Sequence, residues 1–220
     1  MEDNRTAGWV RIYRLVFALA TLFAIAYQFN HLREKGNFRP ANFFSFFTIE
    51  SNLFASAVFL LGALTSLRFS QSRTWDLVRG AAALYMITTG VVYGLLLSGY
   101  QEELQTTIPW VDTVLHKIFP LVLFADWVIC PPVNRIAFKR ALIWLSYPLV
   151  YCAYSLIRGP IVDWYPYPFL NPDSAGGYIG VVGYCIGIAG GVTLFTAGLI
   201  WIGNRVRFRT LAPDATLSTV

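Results

Sequence analysis

Six stretches of the chain are apolar over about 20 residues, the length that a helix needs to cross the hydrocarbon core of a bilayer. They lie at residues 9–29, 43–67, 79–98, 110–130, 141–158 and 178–203. Charged residues make up only 13% of the 220 residues, whereas a soluble domain typically carries about 25%. The sequence therefore predicts an all-α polytopic membrane protein, a bundle of six transmembrane helices.

The distribution of Lys and Arg predicts how such a bundle is oriented. With the N-terminus inside, the inner segments hold twelve of these residues and the outer segments four, and Lys117 lies inside a span. Because positive residues are enriched in cytoplasmic loops, we expect both termini to be cytoplasmic. Residues 1–209 are expected to form one multi-pass transmembrane domain, in the cell membrane if the source is bacterial, and 210–220 a disordered tail.

Charge and cysteine usage exclude several classes of partner. The net charge of +5 does not indicate nucleic-acid binding, because the basic residues lie in the short segments between apolar stretches. The three cysteines, Cys130, Cys152 and Cys185, follow no metal-ligand spacing. We therefore predict no nucleic-acid partner, no metal site and no cofactor.

The sixth apolar stretch carries Gly183, Gly187 and Gly191 at four-residue spacing. Small residues at this spacing let two helix backbones approach closely within a membrane. The pattern predicts a packing face on the last helix, used either inside the bundle or between two copies of the chain in a homo-oligomer.

A threonine and a histidine are predicted to lie at matching depths near the outer membrane face. Thr48 is five residues into the second stretch, roughly 7.5 Å below its outer end, and His116 is six residues into the fourth, roughly 9 Å down. Both helices run from outside to inside, so the two side chains can share one level. A hydroxyl beside an imidazole can act as a nucleophile with its base.

Polar neighbours on the same two helices extend this candidate site. Ser51 and Asn52 follow Thr48 by three and four residues, and they form with it a small polar face suited to lining a cavity. Asp112 precedes His116 by four residues, where a carboxylate can hold the imidazole in one tautomer. Capping of the helix N-terminus is an equally open role for Asp112.

The fifth apolar stretch carries a polar stripe at helical spacing. Tyr147, Tyr151, Tyr154 and Arg158 fall within about 60° of one another around a helix. Such a stripe could orient an ester or bind a fatty carboxylate, because a guanidinium matches carboxylate geometry. An aromatic belt at the membrane interface, with an Arg that reaches the headgroups, is the alternative interpretation.

The remaining charged residues near the spans are given structural roles. Glu50 lies about 200° around the helix from Thr48, so we expect it to pair with a basic residue of a neighbouring helix. Asp126 is expected in an ion pair at the inner surface. His31 is assigned to the first outer loop as a solvated residue.

The segment 159–177 is rich in proline and aromatic residues, which favours an ordered loop. Aromatic side chains prefer the membrane–water boundary. We predict that this loop either covers the site as a lid or anchors the protein at the interface. Asp163 is expected to be available as a partner for Arg158.

Three segments of the chain carry a resemblance to a known family. They are Phe-Phe-Thr-Ile-Glu-Ser-Asn at 46–52, Leu-His-Lys-Ile-Phe-Pro at 115–120 and Trp-Tyr-Pro-Tyr-Pro-Phe-Leu at 164–170. In these segments, and in its six-span layout from 9 to 203, the chain resembles the family of the androgen-induced membrane protein and the androgen-dependent TFPI-regulating protein. Asp112 stands where mammalian members carry a further histidine, a difference that resembles the bacterial branch.

The resemblance implies an intramembrane threonine hydrolase that cleaves fatty acid esters of hydroxy fatty acids or similar lipid esters. The functional threonine and histidine of the family would fall on Thr48 and His116. The expected partners are then a lipid ester substrate and membrane lipids. Two other classes are open on the residues alone: a small transporter or channel that uses charged groups inside the spans, and a non-catalytic lipid-binding protein.

Overall fold

The computed structural model describes residues 8–36, 38–64 and 71–211, with side chains as far as 208, and every regular element in these ranges is helical. The long helical segments are α1 (Gly8–Glu34), α2 (Phe47–Leu64), α3 (Arg73–Leu97), α4 (109–129), α5 (Phe138–Val162) and α6 (Gly177–Leu211). Short helical turns occur at Pro40–Phe43, Pro168–Leu170 and Pro172–Ala175. Two segments contain a π-helical turn, Tyr93–Leu97 at the end of α3 and Val114–Ile118 within α4.

Five of these helices, namely α1, α2, α3, α5 and α6, are long and apolar enough to span a membrane. The α4 segment is assembled from Pro109–Thr113, the π-helical turn and Phe119–Ile129, so its continuous α-helical pieces are shorter. The all-helical architecture agrees with the sequence prediction, whereas the count of spanning helices found by length and composition is five.

Helices α2 and α3 form the interior of the bundle. Of the most apolar 18 residues of each, 61% are buried, against 33% in α1, 22% in α5 and 17% in α6. The peripheral helices expose large apolar side chains on their outer faces, such as Phe23, Ile161 and Leu194. An outer surface of this kind is suited to contact with lipid rather than with water.

We call the end of the bundle at which α1, α3 and α5 end and α2, α4 and α6 begin the upper end, and the opposite end the lower end. At the lower end Asp126 of α4 accepts hydrogen bonds from Arg14 Nε and Arg79 Nη2, each at 2.7 Å. All three side chains are buried. The expected ion pair of Asp126 is therefore present, but it lies between helices rather than at the surface, since two cations compensate one carboxylate there.

Several helix ends differ from the sequence prediction. His31 lies in the last turn of α1 rather than in a loop, because basic residues favour a helix C-terminus and let the helix continue to Glu34. The third helix begins at Arg73, where the Ser72 hydroxyl caps it by accepting from the Trp75 N–H at 3.1 Å. The last helix continues to Leu211, and the rest of the predicted tail lies outside the described residues.

The glycine face of α6 makes no close contact with another helix in the described part of the chain. A Cβ placed on Gly183, Gly187 or Gly191 would meet no atom within 4 Å among the described residues. These glycines instead line an open groove between α6 and α3, which we call the lateral groove, of about 510 Å³. Close packing inside the bundle was the wrong alternative for this face, and the homo-oligomer stays a prediction.

Candidate active site

Thr48 occupies the first turn of α2, at the upper end of the bundle. Because the first N–H groups of a helix have no partner within it, their hydrogen bonds must come from elsewhere. Here the Phe47 N–H donates to the Tyr151 hydroxyl and the Thr48 N–H to the Tyr167 hydroxyl, each at 3.2 Å. The nucleophile candidate is thus buried and held at the positive end of a helix dipole.

His116 lies in the π-helical turn of α4, and Pro120 explains why the helix is widened there. A proline has no N–H to donate to the carbonyl four residues earlier, and its ring clashes with that carbonyl, which belongs to His116. Gly90 of α3 provides the room for this turn, since a Cβ at that position would lie 3.1 Å from Pro120 Cβ. Such turns are frequent at functional sites.

Asp112 fixes the tautomer of His116. Its Oδ1 is 2.9 Å from His116 Nδ1, and its Oδ2 accepts from the Tyr93 hydroxyl at 2.7 Å. The Tyr93 ring also stacks on the imidazole, with centroids 3.9 Å apart. Since the carboxylate accepts the Nδ1 proton, Nε2 carries the lone pair of a base. Asp112 does not cap the helix, so the capping alternative was wrong.

Asn52 brings the two candidate residues to one level of the bundle. Its Nδ2 donates to the Thr48 carbonyl at 2.8 Å and to the carbonyl of Leu115, the residue before His116, at 3.3 Å. Ser51 contacts the Thr89 hydroxyl of α3 at 2.9 Å. Both side chains therefore join helices around the site.

Two cavities meet at Thr48. The first, which we call the apolar pocket, has a volume of about 190 Å³ and lies between α2, α3, α5, α6 and the 163–176 segment. The second, which we call the polar cavity, has about 10 Å³ and is lined by Thr48, His116, Gln28, Gln105 and Thr106 together with apolar residues. Among the described residues, Thr48 alone lines both.

The polar stripe of α5 contributes only one residue to the apolar pocket. Tyr151 lines it, while its hydroxyl donates to the Ser45 carbonyl at 3.0 Å. The Tyr154 hydroxyl contacts Ser45 Oγ at 2.9 Å, outside the pocket. The stripe as a whole therefore does not line the apolar pocket, because Tyr154 holds the segment before α2, and a substrate contact of the other stripe residues stays a prediction.

Arg158 and Glu50 also have partners other than those expected. The Arg158 guanidinium donates to Asn42 Oδ1 at 2.6 Å and stacks on the Trp164 ring. These contacts take the place of the expected partner, Asp163. The chain reaches Asp163 in a left-handed conformation (φ 50°) that ends α5, so the predicted loop begins later than residue 159. Glu50 accepts from the Tyr147 hydroxyl instead of pairing with a basic residue.

Several residues of the site were missed by the sequence reasoning. The 163–176 segment supplies Tyr167 and Phe169 to the wall of the apolar pocket, and Tyr167 is the partner of the Thr48 N–H. Burial raises the pKa of the Tyr167 phenol, so it stays protonated and keeps a proton to donate. The Tyr-Pro-Tyr-Pro motif marked this loop as ordered, but nothing in it indicated which tyrosine meets Thr48.

No family model, curated protein or solved structure matches the chain. The described residues contain no group of three or more His, Cys, Asp or Glu side chains that could hold a metal ion. A buried alcohol and an imidazole supported by a carboxylate are by themselves a sufficient set of groups for nucleophilic acyl transfer.

The role of Asp112 gives a first testable prediction. The Asp112→Asn change places an amide N–H₂ against His116 and favours the tautomer whose Nε2 is protonated, which cannot act as a base. For the ester hydrolysis that the resemblance implies, we expect kcat/KM to fall about 10²-fold at neutral pH while the melting temperature stays near that of the wild type. Tyr93→Phe is the matched control, because it removes only the second hydrogen bond to the Asp112 carboxylate. It should lower kcat/KM by less than about tenfold. Equal loss in both variants would contradict the tautomer role.

Proposed function

We propose that the protein is an integral, multi-pass membrane enzyme that hydrolyses lipid esters, with Thr48 as the nucleophile and His116 as the general base. The observation that carries this proposal is the position of Thr48 between the apolar pocket and the polar cavity that it shares with His116. A nucleophile in this place can meet an ester from one side and its base from the other.

The proposed membrane arrangement has six spans, with both termini in the cytoplasm and the upper end outside. Five spanning-length helices and the exposed apolar side chains of α1, α5 and α6 support it. The sixth span is α4, which reaches from Trp110 stacked on Phe23 near the upper end to the Asp126 ion pairs at the lower end. The excess of Lys and Arg in the inner segments supports the orientation.

In the first step, His116 Nε2 takes the proton of the Thr48 hydroxyl as Oγ attacks the ester carbonyl. The tetrahedral intermediate collapses to an acyl-threonine, and the imidazolium gives the proton to the departing alkoxide, so that an alcohol leaves. The Asp112 carboxylate, at 2.9 Å from Nδ1, stabilises the imidazolium during this step. In the second step a water, deprotonated by His116, releases the fatty acid and restores Thr48.

Tyr167 is the residue best placed to stabilise the oxyanion. Its hydroxyl accepts from the Thr48 N–H, is also within hydrogen-bond reach of the Thr48 side chain, and belongs to a residue of the apolar pocket wall, so a carbonyl oxygen attacked by Thr48 would lie near the phenol proton. The other candidates are committed elsewhere, since Tyr151 donates to Ser45 and Asn52 to two backbone carbonyls. The N-terminus of α2 adds a positive partial charge at the same point.

The walls of the apolar pocket favour an acyl chain as the bound group. They consist of aliphatic and aromatic side chains, neutral hydroxyls and thiols, with no charged residue. The pocket shares four wall residues with the lateral groove, namely Thr88, Val92, Ile188 and Val192. This shared wall supports a route by which a lipid enters sideways from the membrane. The resemblance to the threonine hydrolases indicates fatty acid esters of hydroxy fatty acids as the first substrates to test.

The test is a hydrolysis assay of the purified protein in detergent micelles. We expect it to release fatty acid and hydroxy acid from a branched ester in equal amounts, and to react covalently with a fluorophosphonate probe. A tertiary amide of the same acyl chain is the matched control substrate and should not be cleaved, because its carbonyl is less reactive. Absence of both ester hydrolysis and probe labelling in folded protein would refute the proposal.

A further inference from the structure

The polar cavity is the right size for one water molecule. Its volume of about 10 Å³ is close to the lower limit at which a single water fits. Gln28 of α1 and the 104–106 segment enclose it together with Thr48 and His116. A single water in this cavity would be enclosed by residues that include these polar side chains.

Three polar atoms of this wall have no hydrogen-bond partner among the described residues. They are Gln28 Oε1, Gln105 Oε1 and Thr106 Oγ1. Gln28 and Thr106 are 0% and 6% exposed, so neither side chain can form its missing hydrogen bond with bulk water. Buried polar groups in folded proteins are almost always paired, with protein or with ordered water. Three unpaired atoms around one cavity therefore point to a polar occupant.

Further contacts hold Gln28 and its neighbours in position. Gln28 Nε2 donates to the backbone carbonyl of Gln105, which leaves Oε1 as the atom free to accept. Gln105 has a left-handed backbone (φ 56°), a strained conformation for a residue with a side chain. The Thr106 N–H donates to the Gln101 carbonyl at 2.8 Å and fixes the segment from the other side. Backbone strain of this kind is concentrated at functional sites.

We infer that Gln28 and Thr106 hold the hydrolytic water of the second step, in a site that rests on the proposed function. The water donates one hydrogen to Gln28 Oε1 and the other to His116 Nε2. His116 takes the latter proton as the water oxygen attacks the acyl carbonyl on Thr48. When the tetrahedral intermediate collapses, the imidazolium returns the proton to Thr48 Oγ, and the products are a fatty acid and the free enzyme.

The inference predicts a defect confined to deacylation. With a p-nitrophenyl fatty ester, whose leaving group departs readily, acylation is fast and kcat reports the second step. Gln28→Met keeps the length of the side chain and removes the acceptor. We expect kcat to fall at least about tenfold while kcat/KM and the burst of p-nitrophenol stay within about twofold of the wild type. Intact-mass measurement should then find the acyl group accumulated on Thr48.

Thr106 supplies a matched pair in case Gln28→Met does not fold. Thr106→Val removes the hydroxyl at constant shape and should slow deacylation in the same way, whereas Thr106→Ser keeps the hydroxyl and should resemble the wild type. A parallel fall of kcat and kcat/KM without acyl-enzyme, or an unchanged kcat, would overturn the inference. Turnover that depends on Thr48 but is insensitive to Gln28 and Thr106 would overturn the water site alone, whereas a wild type without turnover would overturn the proposed function and the water site together.

Discussion

Replacing Thr48 with valine is expected to reduce ester hydrolysis at least about 10⁴-fold, to the background rate of the micelle. The change removes the hydroxyl of the one described residue that lines both cavities, and it preserves the branched shape of the side chain. The backbone contacts of this position, the N–H to Tyr167 and the carbonyl to Asn52, do not depend on the side chain. The variant should therefore keep the melting temperature of the wild type while losing ester hydrolysis.

Thr48→Ser is the matched control, because it keeps the Oγ and removes only the methyl group. We expect it to remain active and to retain labelling by a fluorophosphonate, which Thr48→Val should lose. His116→Ala should reduce ester hydrolysis as much as Thr48→Val does. The double variant should be no slower than either single variant, since the effects of groups that act as one unit are not additive. A folded Thr48→Val protein with wild-type turnover would exclude Thr48 as the nucleophile.

The parts of this site that could be predicted from sequence are those set by helical periodicity. The i, i+4 spacing placed Asp112 against His116, and their atoms are 2.9 Å apart. The depths of Thr48 and His116 in their helices also placed them at one level, which the Asn52 hydrogen bonds to both helices now support. Helix geometry is local, so residues close in sequence have only a few relative positions open to them.

The parts that could not be predicted depend on contacts between residues far apart in the chain. Tyr167 meets Thr48 across 119 residues, and Gln28 meets Gln105 across 77. The π-helical turn at His116 was also unforeseen, although Pro120 is its cause, because proline in a helix can equally well produce a kink or an end. The partners of Tyr154 and Arg158 in the α5 stripe were not foreseen, because periodicity gives the face of a helix but not what faces it.

The lower end of the bundle gives the prediction with the largest expected effect on stability. Asp126→Ala removes the buried carboxylate that accepts hydrogen bonds from Arg14 Nε and Arg79 Nη2, and with it the negative charge that both guanidinium groups share. Removing one partner of a buried ion pair typically lowers the free energy of unfolding by about 3–5 kcal/mol. This loss exceeds the net contribution of the intact pair to stability, because a charge stays buried without compensation. In a protein of this size that corresponds to a melting temperature lower by about 10 °C or more. Thermal unfolding in detergent, followed by circular dichroism, is the measurement.

Comparison variants separate charge from shape at this position. Asp126→Asn keeps the size of the side chain and one acceptor oxygen, so it should be destabilised less than Asp126→Ala. Arg14→Met should lower the stability less than Asp126→Asn does, because Arg79 Nη2 still donates to Asp126 Oδ2 at 2.7 Å and to the Cys130 carbonyl at 2.7 Å. Asp126 lies ten residues after His116, about 15 Å along a helix axis. Below its melting temperature, each variant should therefore hydrolyse esters at the wild-type rate, and a variant that lost activity while folded would show that the ion cluster acts on the site itself.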